Sequence, residues 1–244
     1  MEISLAAEEI VRIAGFSITN TLILAWIAMG ILIFFGATST HKLTPVPGHI
    51  QNFFELVVEQ SYNFVKGIIG TDKDTERVYP FIITFFIFIL LSNWLGLIPG
   101  VGTIGVEGRG EHHFLPFLRA PASDLNTTLA FAVISVSITN IFGITAIGFF
   151  KHFGKFISFK SPIAFFVGIL EGIAEVAKIL SFSFRLFGNV FAGEVLLIVI
   201  ASLIPYIAPI PFLGLEIFVG FIQALVFSML TLIFIKVAIT EAEH

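Results

Sequence analysis

Apolar residues gather along this chain in long blocks rather than alternating with polar ones, and most polar residues are confined to the stretches between blocks. Crossing a bilayer takes about 20 consecutive, mostly apolar residues. Five windows reach that length: 16–36, 80–99, 126–150, 162–204 and 211–239. The first three carry no charge, and the Ser, Thr and Asn side chains of 126–150 can satisfy themselves within or between helices. The fourth is different, because it contains Glu171, Glu175, Lys178, Arg185 and Glu194. As one helix it would run about 65 Å at ~1.5 Å per residue, against a hydrocarbon core of ~30 Å. It must tilt steeply or break near Gly188 or Gly193, and with no interior proline to force a break the sequence favours tilt. The fifth window follows a turn containing Pro205, Pro209 and Pro211, and is expected to pack beside the fourth as an antiparallel hairpin. Residues 47–69 mix apolar side chains with Glu55, Glu59 and Lys66 at helical spacing. That pattern fits a helix lying at the membrane interface or an amphipathic connector touching partner proteins. The expected fold is all-α: a single polytopic membrane domain over 1–244, with two long, strongly tilted C-terminal helices forming a hairpin and one interfacial amphipathic helix.

Lys and Arg in short loops are retained on the cytoplasmic side. Lys42, Lys66, Lys73 and Arg77 between the first two windows, and Lys151, Lys155 and Lys160 after the third, mark those loops as inner. The 100–124 segment, with only Arg109 and Arg119, and the uncharged 205–211 turn are outer. Five crossings then put the N-terminus outside and the C-terminal EAEH inside. The acidic start MEISLAAEEI lacks the basic region and cleavage pattern of a secretory signal and is taken as part of the mature chain.

Composition narrows the chemistry. The chain is 57% hydrophobic with 30 Phe and 12% charged residues, more apolar than a soluble core of 244 residues requires. Without cysteine there is no disulfide, thiolate metal site or cysteine nucleophile, and a net charge of −4 suggests no nucleic-acid partner. No GxSxG, HExxH, phosphate-cradling loop or dinucleotide fingerprint is present, so no catalytic residue, metal or cofactor is expected. His41, His49 and His152 fall in loops and are expected to be solvated. The adjacent His112 and His113 lack metal-ligand spacing and receive no role.

The intramembrane charges demand an explanation. An Arg at mid-bilayer costs roughly 2.5–3.5 kcal/mol on insertion scales. Glu171, Lys178 and Arg185 recur every seven residues on one helical stripe, with Asn189 one turn further on nearly the same face. Ser181, Gly188 and Ala192 flank Arg185 with small side chains that let another backbone approach, and a partner carrying a carboxylate fits that surface. Glu194 falls on the opposite face and is a poor direct partner for Arg185. Glu216 and Gln223, seven apart, offer a carboxylate and an amide from the last helix, and together these groups could line a wet path. The plainer alternative is a set of internal ion pairs that merely stabilise the bundle: Glu171 or Glu175 with Lys178, and Arg185 with Glu216.

Here the residues resemble a family. ILEGIAEVAKILSFSFRLFGNVFAGE is similar to the signature segment of the a subunit of F-type ATP synthases, with its Arg-Leu-Phe-Gly-Asn core. PASDLNTT resembles the Asp-x-Asn segment that opens one of that family's transmembrane helices; FIITFFIFILLSNWLGLIP resembles its second span and EIFVGFIQALVFSMLT its last. The resemblance implies a bacterial inner-membrane stator beside a rotor c ring, with peripheral-stalk b subunits and the remaining ATP synthase subunits as further partners. It implies two offset half-channels that carry protons to and from the ring carboxylates, with nucleotide chemistry in other subunits, so the chain is not an enzyme by itself. It assigns Arg185 the role of electrostatic barrier and rotor-carboxylate partner. It places Asn189, Glu194, Glu216 and Gln223 along the outer path or near the arginine, Glu171 and Lys178 on the inner side, and Asp124 and Asn126 in the helix-opening segment. Ser181, Gly188 and Ala192 become rotor-packing positions. Two other readings compete. A self-sufficient transporter predicts inverted repeats, which the halves do not show. A passive scaffold predicts that Arg185 is replaceable by Lys or Gln without loss of ion flux.

Overall fold

In a computed structural model, residues 7–13, 15–40, 48–102, 104–107, 114–154, 161–205 and 207–240 are described. His41, Lys42, Arg109, His112, His113, Lys155, Lys160 and the C-terminal EAEH lie outside them. The chain is a bundle of long helices, five of which are long and apolar enough to cross a membrane. The described β structure is limited to short strands beside them.

A hairpin of β1 (Glu9–Ile13) and β2 (Phe16–Thr19) precedes α1 (Asn20–Thr40). The apolar block from 16 therefore becomes helical only at Asn20, whose own side chain accepts from the Thr21 N–H and donates to the Pro116 carbonyl. α2 (His49–Ile69) is amphipathic. Val65 and Ile69 enter a core cluster with Val78, Ile82, Leu232 and Ile235, while Phe53, Phe54, Leu56 and Val58 stay exposed. The helix stops at Gly70, whose φ of 96° suits a residue without a Cβ and whose N–H reaches the Lys66 carbonyl. Lys66 pairs with Asp72 across this corner at 2.6 Å, and the Asp72 carboxylate raises the lysine pKa above its ordinary value.

α3 (Asp72–Gly96) begins well before the apolar window at 80. Thr71 caps it by accepting from the Asp74 N–H, and Asp72 and Asp74 complement the positive end of the helix dipole, so the charged residues before Pro80 are helical too. β3 (Pro99–Gly102) and a hairpin of β4 (Gly105–Glu107) and β5 (Phe114–Pro116) follow, then a 3₁₀ turn at Pro121–Ser123. Asp124 caps α4 (Leu125–Ile147), which ends at Gly148 with φ 90° and turns into the short α5 (Phe149–Phe153). α6 (Pro162–Leu203) is capped by Ser161 and has proline in its first turn. Its 42 residues form one unbroken helix, about 63 Å long at ~1.5 Å per residue. Neither Gly188 nor Gly193 interrupts it. α7 (Pro209–Thr240) returns alongside and packs on α3, α4 and α6.

Two contacts fix the ends of the bundle. Lys236 near the end of α7 donates to the Ile69 carbonyl at 2.6 Å, so α7 finishes beside the end of α2. The Asn20–Pro116 bond sets the start of α1 against β5. One end of the molecule thus carries α2 and α5, and the other carries β3 to β5 and the α6–α7 turn. His49 opens α2 in exposed surroundings, but His152 is not solvated: it lies on α5 at 6% exposure, against Gly143 of α4.

Phe182, Leu186, Ala224, Phe227 and Ile89 form the central core. Hydroxyl pairs join the helices inside it, Ser135 with Thr231 at 2.7 Å and Thr128 with Ser183 at 3.1 Å. Gly96 lets α3 close against the 3₁₀ connection, since a Cβ there would lie 2.6 Å from the Ala120 Cβ and 3.3 Å from its Cα. Gly96→Val should therefore lower stability by about 1–3 kcal/mol through overpacking, read as a lower thermal midpoint of the purified protein.

Candidate functional site

A cavity of about 370 Å³ opens at the end that carries β3 to β5. α3, residues 99–102 and 116–120, the second half of α6 and the first half of α7 enclose it, and its walls include Glu8, Arg119, Asn189, Glu194, Glu216 and Gln223. Each of these side chains is placed by a local feature of the fold. Arg119 stands just before the Pro121 turn, its side chain only 6% exposed, and its guanidinium holds both oxygens of Glu194 at 3.1–3.3 Å. The pair joins the connection to α6. Gly193 makes room for Glu216, because a Cβ there would overlap the Glu216 carboxylate. Asn189 donates to the Gln223 side-chain oxygen at 2.6 Å and so ties α6 to α7 at the inner limit of the cavity.

Buried polar atoms on this wall include the Gln223 Nε2 donor and the Asn93 Oδ1 acceptor, neither of which has a described hydrogen bond. Buried polar atoms are normally satisfied, and a space of this size beside such atoms has room for several waters at ~30 Å³ each. Glu216 makes no ion pair among the described residues. The cavity is thus roomy and mostly apolar in its walls, with three carboxylates, those of Glu8, Glu194 and Glu216, set into them.

Arg185 does not face this cavity. It lies exposed on α6, with one weak hydrogen bond to the Ser181 hydroxyl at 3.5 Å on its own helix. Ser181, Gly188, Asn189 and Ala192 are exposed around it. The Arg185–Glu216 ion pair of the plainer alternative does not form: Glu216 packs on Gly193, and Glu194 is held by Arg119. The expected polar stripe also divides. Lys178 turns inward, pairing with Glu175 and lying 4.8 Å from the centre of the Phe234 ring, whereas Arg185 faces out. Glu171 is half-exposed and takes no described ion pair. Asp124 accepts from the Asn126 N–H, the Asn126 amide and the Thr127 hydroxyl, which makes it the buried cap of α4. Asp124 and Asn126 are not brought to the cavity wall.

Arg119 and Asn93 were not singled out in the sequence. Arg119 reads as a solvated loop charge, although a membrane carboxylate such as Glu194 needs a nearby cation. Asn93 is a lone amide in an apolar block. It donates to the Gly220 carbonyl at 3.2 Å, where a Cβ on Gly220 would crowd its side chain.

Such an arrangement defines a polytopic helical membrane protein with a carboxylate-bearing cavity set against its last two helices. Comparison with known proteins gives the particular family. The family pattern of the ATP synthase A chain matches residues 22–236. The chain is 38% identical over 233 residues to the chloroplastic ATP synthase subunit a of Stigeoclonium helveticum, covering 94% of this chain and 88% of that one. It is 37% identical to ATP synthase subunit a 2 of Syntrophotalea carbinolica and 35% identical to subunit a 3 of Pelobacter propionicus, each over 219 residues. Those two matches cover 89% of this chain, and 84% and 86% of the respective relatives. The chain belongs to the ATP synthase A chain family, the subunit a proteins.

Removing one partner of a buried pair leaves an uncompensated charge, at a cost of about 3–5 kcal/mol. Arg119→Leu should therefore destabilise the protein far more than Arg119→Leu combined with Glu194→Leu, a difference measured by thermal unfolding of the two single variants and the double.

Proposed function

We propose that the chain is the ion-conducting stator of an F-type ATP synthase in a bacterial inner membrane, set beside a rotor c ring and held by peripheral-stalk b subunits. Two offset half-channels carry protons to and from the ring carboxylates, coupling ion flow to rotation and ATP synthesis. Nucleotide chemistry takes place in other subunits, so this chain is not an enzyme by itself. The Lys and Arg count makes the end with α2 and α5 the inner one and the cavity end the outer one.

The observation that carries this reading is the position of Arg185 relative to the cavity. The wet path narrows to the Asn189–Gln223 contact, and Asn189 lies one turn, about 6 Å, beyond Arg185. Arg185 itself faces outward among Ser181, Gly188 and Ala192, where a neighbouring helix bearing a carboxylate can approach closely. Protons entering from outside pass Glu194 and Glu216 and reach a ring carboxylate near Asn189. The ring carries the neutral carboxylate round to the inner path, where it gives up its proton and meets the arginine in its ionised form. A guanidinium stays charged at every accessible pH and cannot relay a proton, so it separates the two paths without leaking between them. On the inner side, Glu171 and Lys178 stand on α6 toward the other end. Asp124 and Asn126 support the path by capping α4 rather than by lining it.

Arg185→Ala should assemble into the complex and lose ATP-driven proton pumping when the whole enzyme is reconstituted in vesicles. Wild-type acidification by the assembled variant would overturn the mechanism.

A further inference from the structure

A second polar chain runs through the end of the molecule opposite the cavity. His152 Nε2 lies 3.0 Å from the Asn140 side-chain oxygen. The Asn140 amide donates to the Val136 carbonyl at 2.9 Å and to Glu175 Oε2 at 3.4 Å. Glu175 Oε1 is paired with Lys178. Because the Asn140 nitrogen donates on both sides, its oxygen accepts, and His152 Nε2 carries the proton in this contact. The geometry is built for the histidine. A Cβ on Gly143 would lie 2.8 Å from His152 Cε1, and Gly148, with φ 90°, turns the chain so that α5 folds back onto α4.

A stabilising i,i+3 ion pair on one helix needs none of this. Glu175 and Lys178 would satisfy each other without a tether from α4 and a buried ring behind it. The tether fixes one carboxylate oxygen on the α4 side of α6. Glu175 lies ten residues, about 15 Å, before Arg185 on the helix. Glu171, the acidic position singled out by the sequence, has no such support. Besides Glu175 itself, the charged groups on the packed elements are Glu171, Lys178, Arg185 and Glu194 on α6, Lys151 on α5, and Glu216 and Lys236 on α7; α4 carries none.

We propose that Glu175 is the carboxylate that exchanges protons with the inner side, and that His152 is the residue that positions it through Asn140. The inference rests on the stator reading above. Glu175 takes one proton arriving from the ring side and becomes neutral. It then gives that proton to water at the inner surface and returns to the ionised state paired with Lys178. Asn140 holds the geometry and passes no proton.

The test uses the whole complex in inverted vesicles, whose inner face meets the medium, with Glu175→Gln, His152→Leu, His152→Gln and Arg185→Ala prepared side by side. Subunit content is checked by immunoblot, and both pumping and passive proton conductance are measured against the pH of the medium and, separately, of the lumen. Loss of a proton-exchanging group that water partly replaces should slow conductance by about tenfold or more in Glu175→Gln, and should change its dependence on medium pH while leaving its dependence on lumen pH intact. His152→Leu should shift the same profile in the same direction. His152→Gln should restore it, since the Gln amide can donate to Asn140 from nearly the same place. Wild-type rates and profiles in Glu175→Gln would overturn the proposal and leave Glu175–Lys178 a simple ion pair. Equal failure of His152→Gln and His152→Leu at normal subunit content would overturn the positioning role. If His152→Leu does not assemble, the nearly isosteric Glu175→Gln decides alone. Pumping by Arg185→Ala would remove the stator reading itself, whereas a silent Arg185→Ala beside a wild-type-like Glu175→Gln would remove only this inference.

Discussion

Lipid cannot hydrate a charge, and the placement of every ionisable side chain on α6 follows from that constraint. Glu175 and Lys178 neutralise each other, and Glu194 is neutralised by an arginine brought in from a loop. Only Arg185 and Glu171 take no described partner of opposite charge, and Arg185 does so at the middle of the longest helix in the protein. A fold that tolerates such a group either supplies water or awaits a partner. The small residues around Arg185 favour a partner.

The same solvent shapes the rest of the bundle. Between apolar helices in lipid, burial of apolar surface contributes little to association, so close packing and hydrogen bonds must do more. The Ser135–Thr231 and Thr128–Ser183 pairs and the Asn93 and Trp94 bonds to backbone carbonyls of α7 meet that need. Gly96, Gly143, Gly193 and Gly220 each leave space that another group fills. The glycines and the polar atoms are complementary: one removes volume where the other must fit.

The fold was legible because a membrane writes itself in block lengths. The five spans, the amphipathic α2 and the long C-terminal hairpin all follow from periodicity and length. Helix starts were less legible where caps rather than apolarity decide, as at Thr71, which begins α3 well ahead of Pro80. The candidate site was legible residue by residue on α6 and α7, since a charge in an apolar block announces itself. Its partners were not. Arg119 and His152 sit in connections where sequence gives no reason to expect burial, and only the folded chain brings Arg119 to Glu194 and His152 to Asn140. Spacing on one helix also offered the Glu175–Lys178 pair, which forms, while the approach of Lys178 to Phe234 of α7 appears only in the folded chain.

The unbroken course of α6 has a mechanical consequence. The helix is tied to its neighbours at Glu175, through Asn140 of α4, and at Glu194, through Arg119, points about 29 Å apart at ~1.5 Å per residue. Arg185 lies almost midway between them. Between them the Thr128–Ser183 and Asn189–Gln223 bonds hold the same helix to α4 and α7. A sideways load applied at the arginine is therefore spread over ties on both sides of it, and loss of one shifts its share to the rest, so the stiffness felt at Arg185 is set by residues that never touch it.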